Sequence, residues 1–94
     1  MSGLNKNSLT VIHNEAGHRF EVHVDSHTAE LSYLLQGDTI TFTHTGVPSE
    51  IEGNGIGSLL VKAGLEYAQT HKLKVVSLCW FVSGYIQRHP EAVK

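Results

Sequence analysis

Residues 44–61 read HTGVPSEIEGNGIGSLLV, and this stretch decides the fold of the chain. A strand that ends in polar residues continues into three alternating glycines, Gly53, Gly55 and Gly57, and an amphipathic helix follows them. Such a junction directs several backbone N–H groups the same way, with the positive end of the helix dipole behind them. The sequence therefore predicts a site for a ligand that carries phosphate. The alternative is a tight strand-to-helix turn that needs glycine for its own geometry.

The glycines match neither of two familiar phosphate loops. A nucleoside-triphosphate loop needs a Lys-Ser or Lys-Thr pair at a fixed spacing, and none follows here. A dinucleotide-binding fingerprint needs a glycine where Ser58 stands, together with a repeating βαβ context that this chain lacks. We therefore expect a different phosphate-bearing ligand.

Composition limits the possible partners. The 94 residues predict one domain, residues 1–94, with a single modest core. Charged residues make up 17% and the net charge is -2, so we expect neither nucleic acid nor a membrane surface as a partner. The N-terminal residues do not resemble a signal peptide, and no apolar run approaches the roughly 20 residues of a membrane helix. One cysteine excludes an internal disulfide, which suits a reducing compartment, and a cytoplasmic location is expected.

Apolar and polar residues alternate in the first half of the chain, as in a sheet with one wet face. The pattern predicts four antiparallel strands in a meander, at residues 9–13, 20–24, 29–35 and 38–44. Residues 14–17 form the turn of the first hairpin.

The period changes to that of a helix after the glycines. The predicted apolar stripe of this helix consists of Ile56, Leu59, Leu60, Ala63 and Tyr67. Residues 73–78 predict a fifth strand, more apolar than the others and therefore expected to be more central. Residues 81–88 predict a second helix that ends before Pro90. This order of elements predicts an α+β fold with a mixed sheet.

Two blocks of the sequence resemble the GNAT N-acetyltransferase superfamily. The first, Thr45-x-Val47-Pro48-x-x-x-x-Gly53-x-Gly55-Ile56-Gly57-Ser58-x-Leu60-Val61, is similar to its acetyl-coenzyme A loop. The second comprises Leu73-Lys74-Val75-Val76, Cys79, Phe81-Val82, Tyr85-Ile86 and Arg88-His89-Pro90-Glu91. Both resemble the small single-domain GNAT-like branch, whose members are related to the human N-acetyltransferase domain-containing protein. The resemblance covers nearly the whole chain.

The resemblance implies a GNAT-like (acyl-CoA N-acyltransferase) fold in which two parallel strands, here 38–44 and 73–78, splay apart. Acetyl-CoA is the implied co-substrate, with its pantetheine arm in the gap between the strands and its pyrophosphate on the loop. Main-chain groups around Val47 would pair with the pantetheine. The other implied coenzyme-binding residues are Gly53, Asn54, Gly55, Ile56, Gly57, Ser58, Phe81 and Tyr85.

The chain departs from the superfamily pattern in two places. The loop usually begins with Gln or Arg, and this chain has Glu52, whose carboxylate repels a pyrophosphate unless it turns to solvent. We therefore expect weaker coenzyme binding than a Glu52→Arg variant would show. Ser77 and Trp80 stand where relatives often carry proline beside the cysteine, so this wall of the site is expected to have a different shape.

Three residues are candidates for catalysis. A thiolate at Cys79 could carry the acetyl group, whereas a lone cysteine among apolar neighbours is usually a small packing residue. His44 could act as a general base, but its parity with Ile40 and Phe42 places it on the apolar face as a core histidine, unless a bulge intervenes. In larger GNAT enzymes a tyrosine on the helix equivalent to 81–88 protonates the leaving thiolate, and Tyr85 has either this role or a packing role.

No metal is expected. His23 and His27 have the four-residue spacing of helical metal ligands, but they fall on a strand and the turn after it.

Two functions remain open. One is acetyl transfer from acetyl-CoA to an amine that the sequence does not identify. The other is an acyl-CoA sensor or interaction module without useful transfer, which the brevity of the chain favours. The oligomeric state is also open.

Overall fold

The computed structural model describes residues 9–93, so the predicted domain extends at both ends beyond the described residues. Four strands come first: β1 (Ile12–Asn14), β2 (Arg19–Val24), β3 (His27–Gln36) and β4 (Thr39–Gly46). They are followed by α1 (Ile56–Thr70), β5 (Lys74–Ser77) and α2 (Trp80–Arg88). Short 3-10 turns occupy Ser49–Ile51 and Pro90–Val93. None of the helices in this part of the chain is both long and apolar enough to cross a membrane.

The sheet has the order β1-β2-β3-β4-β5. The first three pairs of neighbours are antiparallel, whereas β4 and β5 run parallel. The predicted α+β fold with an antiparallel meander and a mixed sheet is therefore confirmed. The first strand is shorter than expected and begins at Ile12, and its turn is closed by the Asn14 side chain, which accepts a hydrogen bond from the Gly17 amide at 3.0 Å.

One face of the sheet packs against the helices. The buried apolar residues of β2, β3 and β4 alternate along each strand and form one hydrophobic cluster with α1 and α2. In β2 the Glu21 side chain between two of them is also buried, where it pairs with Arg19. The buried residues of α1 are Ile56, Leu60, Val61, Gly64, Leu65 and Ala68. The buried face of α1 is therefore rotated relative to the predicted apolar stripe, because Leu59, Ala63 and Tyr67 are only half-buried. Gly64 explains the rotation: without a side chain it lets the helix lie directly on the Phe42 ring.

The fifth strand was expected to be central, and this prediction is wrong. β5 lies at the edge of the sheet, beside β4. Only its inward-facing residue Val75 packs against the core, whereas Lys74 and Val76 are exposed. The apolar run in the sequence therefore reflects neither a central position nor burial on both faces.

β4 contains a bulge that determines which of its side chains face the helices. Tyr33 of β3 pairs with Phe42, but the preceding residue Ser32 pairs with His44, so Thr43 is an extra residue. The alternation of side chains along β4 is therefore inverted after Phe42. As a result Thr45, opposite the buried Leu31, faces the helices, and His44 faces the other side of the sheet.

The two parallel strands separate at their carboxyl ends. Their pairing ends at Phe42 and Ser77, followed by a last hydrogen bond of 2.9 Å from the Leu78 amide to the Phe42 carbonyl. β4 continues to Gly46, whereas the segment that follows β5 enters α2 at Trp80. The splay that the family resemblance implied is present.

An aromatic cluster ties β1 to the rest of the molecule, under α1. The His13 ring stacks on Phe20 with centroids 4.1 Å apart, and its Nε2 lies 2.6 Å from the Tyr33 hydroxyl. The pKa of His13 is lowered, mainly because its ring is partly buried. The Glu15 carboxylate opposes this shift, and His71 adds to it.

Candidate active site

The separation of β4 and β5 opens a cavity of about 560 Å³. Three segments line it: the end of β4, the glycine-containing loop with the first turn of α1, and the connection from β5 to α2. The lining residues are Thr43, His44, Thr45, Val47, Glu52, Gly53, Gly55, Ile56, Gly57, Ser58, Leu78, Cys79, Trp80 and Phe81. The two sequence blocks that lie far apart in the chain thus meet at one site.

The first turn of α1 forms one wall of the cavity. Gly55 occupies the N-cap position with φ of +74°, a left-handed conformation, and it has no side chain to cap the helix. The first amides of a helix have no partner within the helix itself. Because the first turn of α1 also carries no acidic residue, this end of the cavity is suited to an anion.

Glycine is required at the other two positions for different local reasons. Gly53 has φ of +84°, and a Cβ placed there would meet nothing within 4 Å, so the backbone conformation itself requires glycine. At Gly57 a Cβ would lie 2.8 Å from Cζ of Phe81, so this glycine also allows the Phe81 ring to pack on the helix. The alternative of a geometric requirement therefore holds alongside the anion site and does not exclude it.

Two polar residues of the loop differ in position. Asn54 does not line the cavity; its side-chain amide donates to the carbonyl of Ile51 at 2.9 Å and to that of Glu52 at 3.3 Å, which holds the loop in shape. Glu52 itself is exposed and lines the cavity. Its carboxylate is thus part of the surface that an anion would meet.

Cys79 is 8% exposed and immediately precedes α2. Its Sγ lies 3.4 Å from Oγ1 of Thr45, across the gap between the separated strands. Burial raises the pKa of the thiol, but the Thr45 hydroxyl and the backbone amides of Val82 and Phe81 outweigh this effect, so that the pKa of Cys79 is lowered. The site therefore favours a thiolate more than apolar burial alone would.

His44 lies on the opposite lip of the cavity. The core position that parity implied for it is wrong, because the bulge at Thr43 turns its side chain to the outer face of the sheet, where it is exposed. Its Nε2 is 3.1 Å from the place where a Cβ at Gly46 would be, so Gly46 leaves room for the imidazole. The structure thus brings His44 and Cys79 to the same cavity.

Tyr85 does not line the cavity. It is half-buried on α2, where its ring lies 4.5 Å from that of His89 and packs against the hydrophobic core. Phe81, one turn earlier on α2, occupies the cavity wall.

Within residues 9–93, no group of three or more histidine, cysteine or acidic side chains could hold a metal ion.

Three lining residues were not identified from the sequence: Thr43 at the bulge, Thr45 as a partner of the thiol, and Leu78. Trp80 was expected in a wall of the site, but without a role in binding. Thr45 belongs to the motif quoted above, but simple alternation along β4 without a bulge would place it on the outer face. The bulge that reverses this has no recognisable signal in the sequence. Leu78 and Trp80 flank Cys79 and appeared as its apolar packing neighbours, whereas both are exposed.

Comparison with known proteins identifies the family of this chain. Residues 19–94 match the family described as GCN5-related N-acetyl-transferase. The chain belongs to this family. Its structure is also similar to the solution NMR structure of a GCN5-like protein from Staphylococcus aureus assigned as an N-acetyltransferase. The two share 28% sequence identity with a TM-score of 0.68, over 98% of this chain and 86% of the other.

The family and the neighbour confirm the GNAT fold that the motifs predicted. They also support acetyl transfer as the function of a chain with this fold.

Proposed function

We propose that this GNAT protein binds acetyl-CoA in the cavity between β4 and β5 and transfers the acetyl group to an amine. One observation carries the proposal: the uncapped N-terminus of α1 and the gap between the parallel strands line the same cavity. Its two ends thus suit the two ends of an acyl-coenzyme A, a diphosphate and a thioester. The narrower kinship with the single-domain branch remains a prediction.

The pyrophosphate would bind at the first turn of α1. Amides from Gly53 to Ser58 would donate to its oxygens, and charge-assisted hydrogen bonds of this kind contribute about 1.5–3 kcal/mol each. The Ser58 side chain, half-buried on the cavity wall, is able to add its hydroxyl. Val47, which also lines the cavity, would offer main-chain groups to the pantetheine.

The thioester would lie between His44 and Cys79. In direct transfer, the amine nitrogen bonds to the carbonyl carbon, the carbon–sulfur bond breaks, and His44 accepts the proton that the nitrogen loses. In transfer through Cys79, the thiolate first attacks the carbonyl and displaces the coenzyme thiolate. The amine then attacks the acetyl-cysteine, the carbon–sulfur bond breaks to release the Cys79 thiolate, and His44 accepts the proton that the nitrogen loses. The lowered pKa of Cys79 supports the second route, and its burial against the hydrophobic core is also compatible with the first.

NMR titration tests coenzyme binding. Coenzyme A should shift the amide resonances of residues 53–58 more than those of the β2–β3 turn. If no resonance between 53 and 58 moved, the proposed binding site would be wrong.

Mass spectrometry after incubation with acetyl-CoA tests the transfer. Acetyl on Cys79, followed by its loss when an amine is added, supports the acetyl-cysteine route, whereas an acetylated amine formed equally well by Cys79→Ala supports the direct route. The His44→Ala variant should transfer more slowly at unchanged thermal stability. If it acetylates amines as fast as the parent, His44 is not the general base.

Glu52 favours a second candidate function, acyl-CoA binding without transfer. A carboxylate on the loop opposes tight binding of a diphosphate and suits a protein that responds to changes in coenzyme level. Bound coenzyme with no label on Cys79 or on any amine would support this sensor function.

A further inference from the structure

Two large apolar side chains are exposed to solvent at the mouth of the cavity. Leu78 is 71% exposed and Trp80 is 84% exposed, and both line the cavity. Among the described aromatic rings, the Trp80 ring pairs only with that of Phe81, in a T-shaped arrangement with centroids 5.9 Å apart. Apolar surface grouped in this way at a cavity mouth marks a binding surface more often than a feature of the fold.

This apolar surface continues on the outer face of the sheet, away from α1. Val76 of β5 pairs with Thr41, and Thr41 pairs with Leu34 of β3, so the three residues form a row across this face. Leu34 is 51% exposed and Val76 is 42% exposed. Leu78 lies two residues beyond Val76 along the chain, so it connects the end of this row to the cavity.

The mouth has few charges. Among the residues that line the cavity, the ionisable ones are His44, Glu52 and Cys79. Glu52 belongs to the loop before α1, not to the β5 side of the cavity. On β3, Glu30 pairs with Gly46 beyond His44, and its carboxylate lies 4.0 Å from the Arg19 guanidinium, with which it forms an ion pair.

We propose that the acceptor is a primary amine attached to an apolar group, preferably an aromatic ring, and not a polyamine or a lysine-rich segment. The apolar group would pack on Leu78 and Trp80, where ring–ring contacts add to the burial of apolar area. The nitrogen would then enter the cavity beside His44. A polycationic acceptor would need several carboxylates at the mouth, and the described residues do not provide them. This inference rests on the proposed acetyl transfer.

The chemistry balances without any further reactant. The charged amine first gives one proton to solvent and so becomes nucleophilic. The nitrogen–carbon bond then forms as the carbon–sulfur bond breaks, the coenzyme leaves as its thiolate, and the second proton passes through His44 to solvent or to that thiolate. The product is a neutral amide, which has lost the charge of the free amine.

A kinetic comparison of amines tests the proposal. Phenethylamine, spermidine and a lysine-containing peptide are each assayed with acetyl-CoA, and phenethylamine is expected to have the highest kcat/KM. For this amine, Trp80→Ala and Leu78→Ala should each raise KM about tenfold, with kcat changed less than twofold. Trp80→Phe keeps an aromatic ring and should restore most of the affinity. Ile12→Ala is the matched control, because Ile12 is 47% exposed on β1 and does not line the cavity.

The affinity of each variant for coenzyme A is measured alongside, and it should match that of the parent. Preferred acetylation of spermidine or the peptide, or an unchanged KM in both alanine variants, would overturn the apolar acceptor while acetyl transfer itself stood. If the protein bound coenzyme A but acetylated none of the three amines, the proposed function would fail, and this inference with it. The presence or absence of turnover distinguishes the two failures.

Discussion

Two glycines of α1 make it possible to separate coenzyme binding from packing. A Cβ at Gly57 would lie 2.8 Å from Cζ of Phe81, and a Cβ at Gly64 would lie 2.8 Å from Cε1 of Phe42. The contacts are equally close, but their surroundings differ. Phe81 is half-buried at the cavity wall, whereas Phe42 is fully buried in the core. The same substitution, glycine to alanine, should therefore have different effects at the two positions.

The expected magnitudes follow from two opposing contributions. Alanine is better than glycine within a helix by up to about 1 kcal/mol. Overpacking of a core costs about 1–3 kcal/mol. At Gly64 the second contribution should dominate, because the methyl group would also lie 3.1 Å from Cδ2 of the buried Leu31. A net loss of about 1–2 kcal/mol lowers the Tm of a domain of this size by roughly 5–15 °C.

At Gly57 the ring of Phe81 is able to swing toward the cavity, so we expect little loss of stability. The displaced ring and the added methyl group would instead hinder the approach of phosphate to the first turn of α1. Loss of one charge-assisted hydrogen bond weakens binding by at least about tenfold.

Thermal unfolding followed by circular dichroism, and calorimetric titration with coenzyme A, measure the two effects. Gly64→Ala should lose stability and keep its affinity for coenzyme A, and Gly57→Ala should do the reverse. A Gly57→Ala variant that binds coenzyme A like the parent would show that the first turn of α1 is not the phosphate site. A Gly64→Ala variant as stable as the parent would refute the packing argument.

Three further predictions concern single side chains. Thr45→Val removes the hydroxyl that stabilises the Cys79 thiolate by about 1 kcal/mol, so the pKa of the thiol should rise. The smaller thiolate fraction, partly offset by the greater nucleophilicity of each thiolate, should slow alkylation by iodoacetamide roughly threefold at neutral pH. An unchanged rate would contradict the role of this hydrogen bond. Because the folded-state pKa of His13 lies below its ordinary value of 6.5, its contribution to stability should be complete above pH 6.5 and decrease as the pH falls through the folded-state pKa. Denaturant unfolding of His13→Gln, which can still bond to Tyr33, should show a flatter pH dependence over that window; the same slope as in the parent would mean that another group is responsible. Glu52→Arg should bind coenzyme A up to about fivefold more tightly at low salt, and equal affinities by calorimetry would count against repulsion by the carboxylate.

The sequence was sufficient to predict the order and type of the elements. Alternation in β2, β3 and β4, the glycines before α1 and the proline after α2 are local signals, and each led to the correct element. The errors arose where position depends on tertiary contacts. Nothing local distinguishes an edge strand from a central one when its residues are apolar, and in β5 exposed Val76 and half-buried Val75 look alike in the sequence. Likewise, the buried face of α1 is set by the contact of Gly64 with Phe42, two residues that are distant in the chain.

The candidate site shows the same division more sharply. The glycine-containing loop could be predicted because its residues are contiguous and their missing side chains are visible in the sequence. The opposite lip could not, because one extra residue, Thr43, reverses every side chain after it. Without the bulge, His44 would be buried under α1 and Thr45 would face away from Cys79. With it, an imidazole stands on the open face, where an amine can approach, while a hydroxyl bonds to the thiol on the inner side. The two faces of the gap thus receive different chemistry from a single irregularity in hydrogen bonding, and the proposed roles of both residues depend on it.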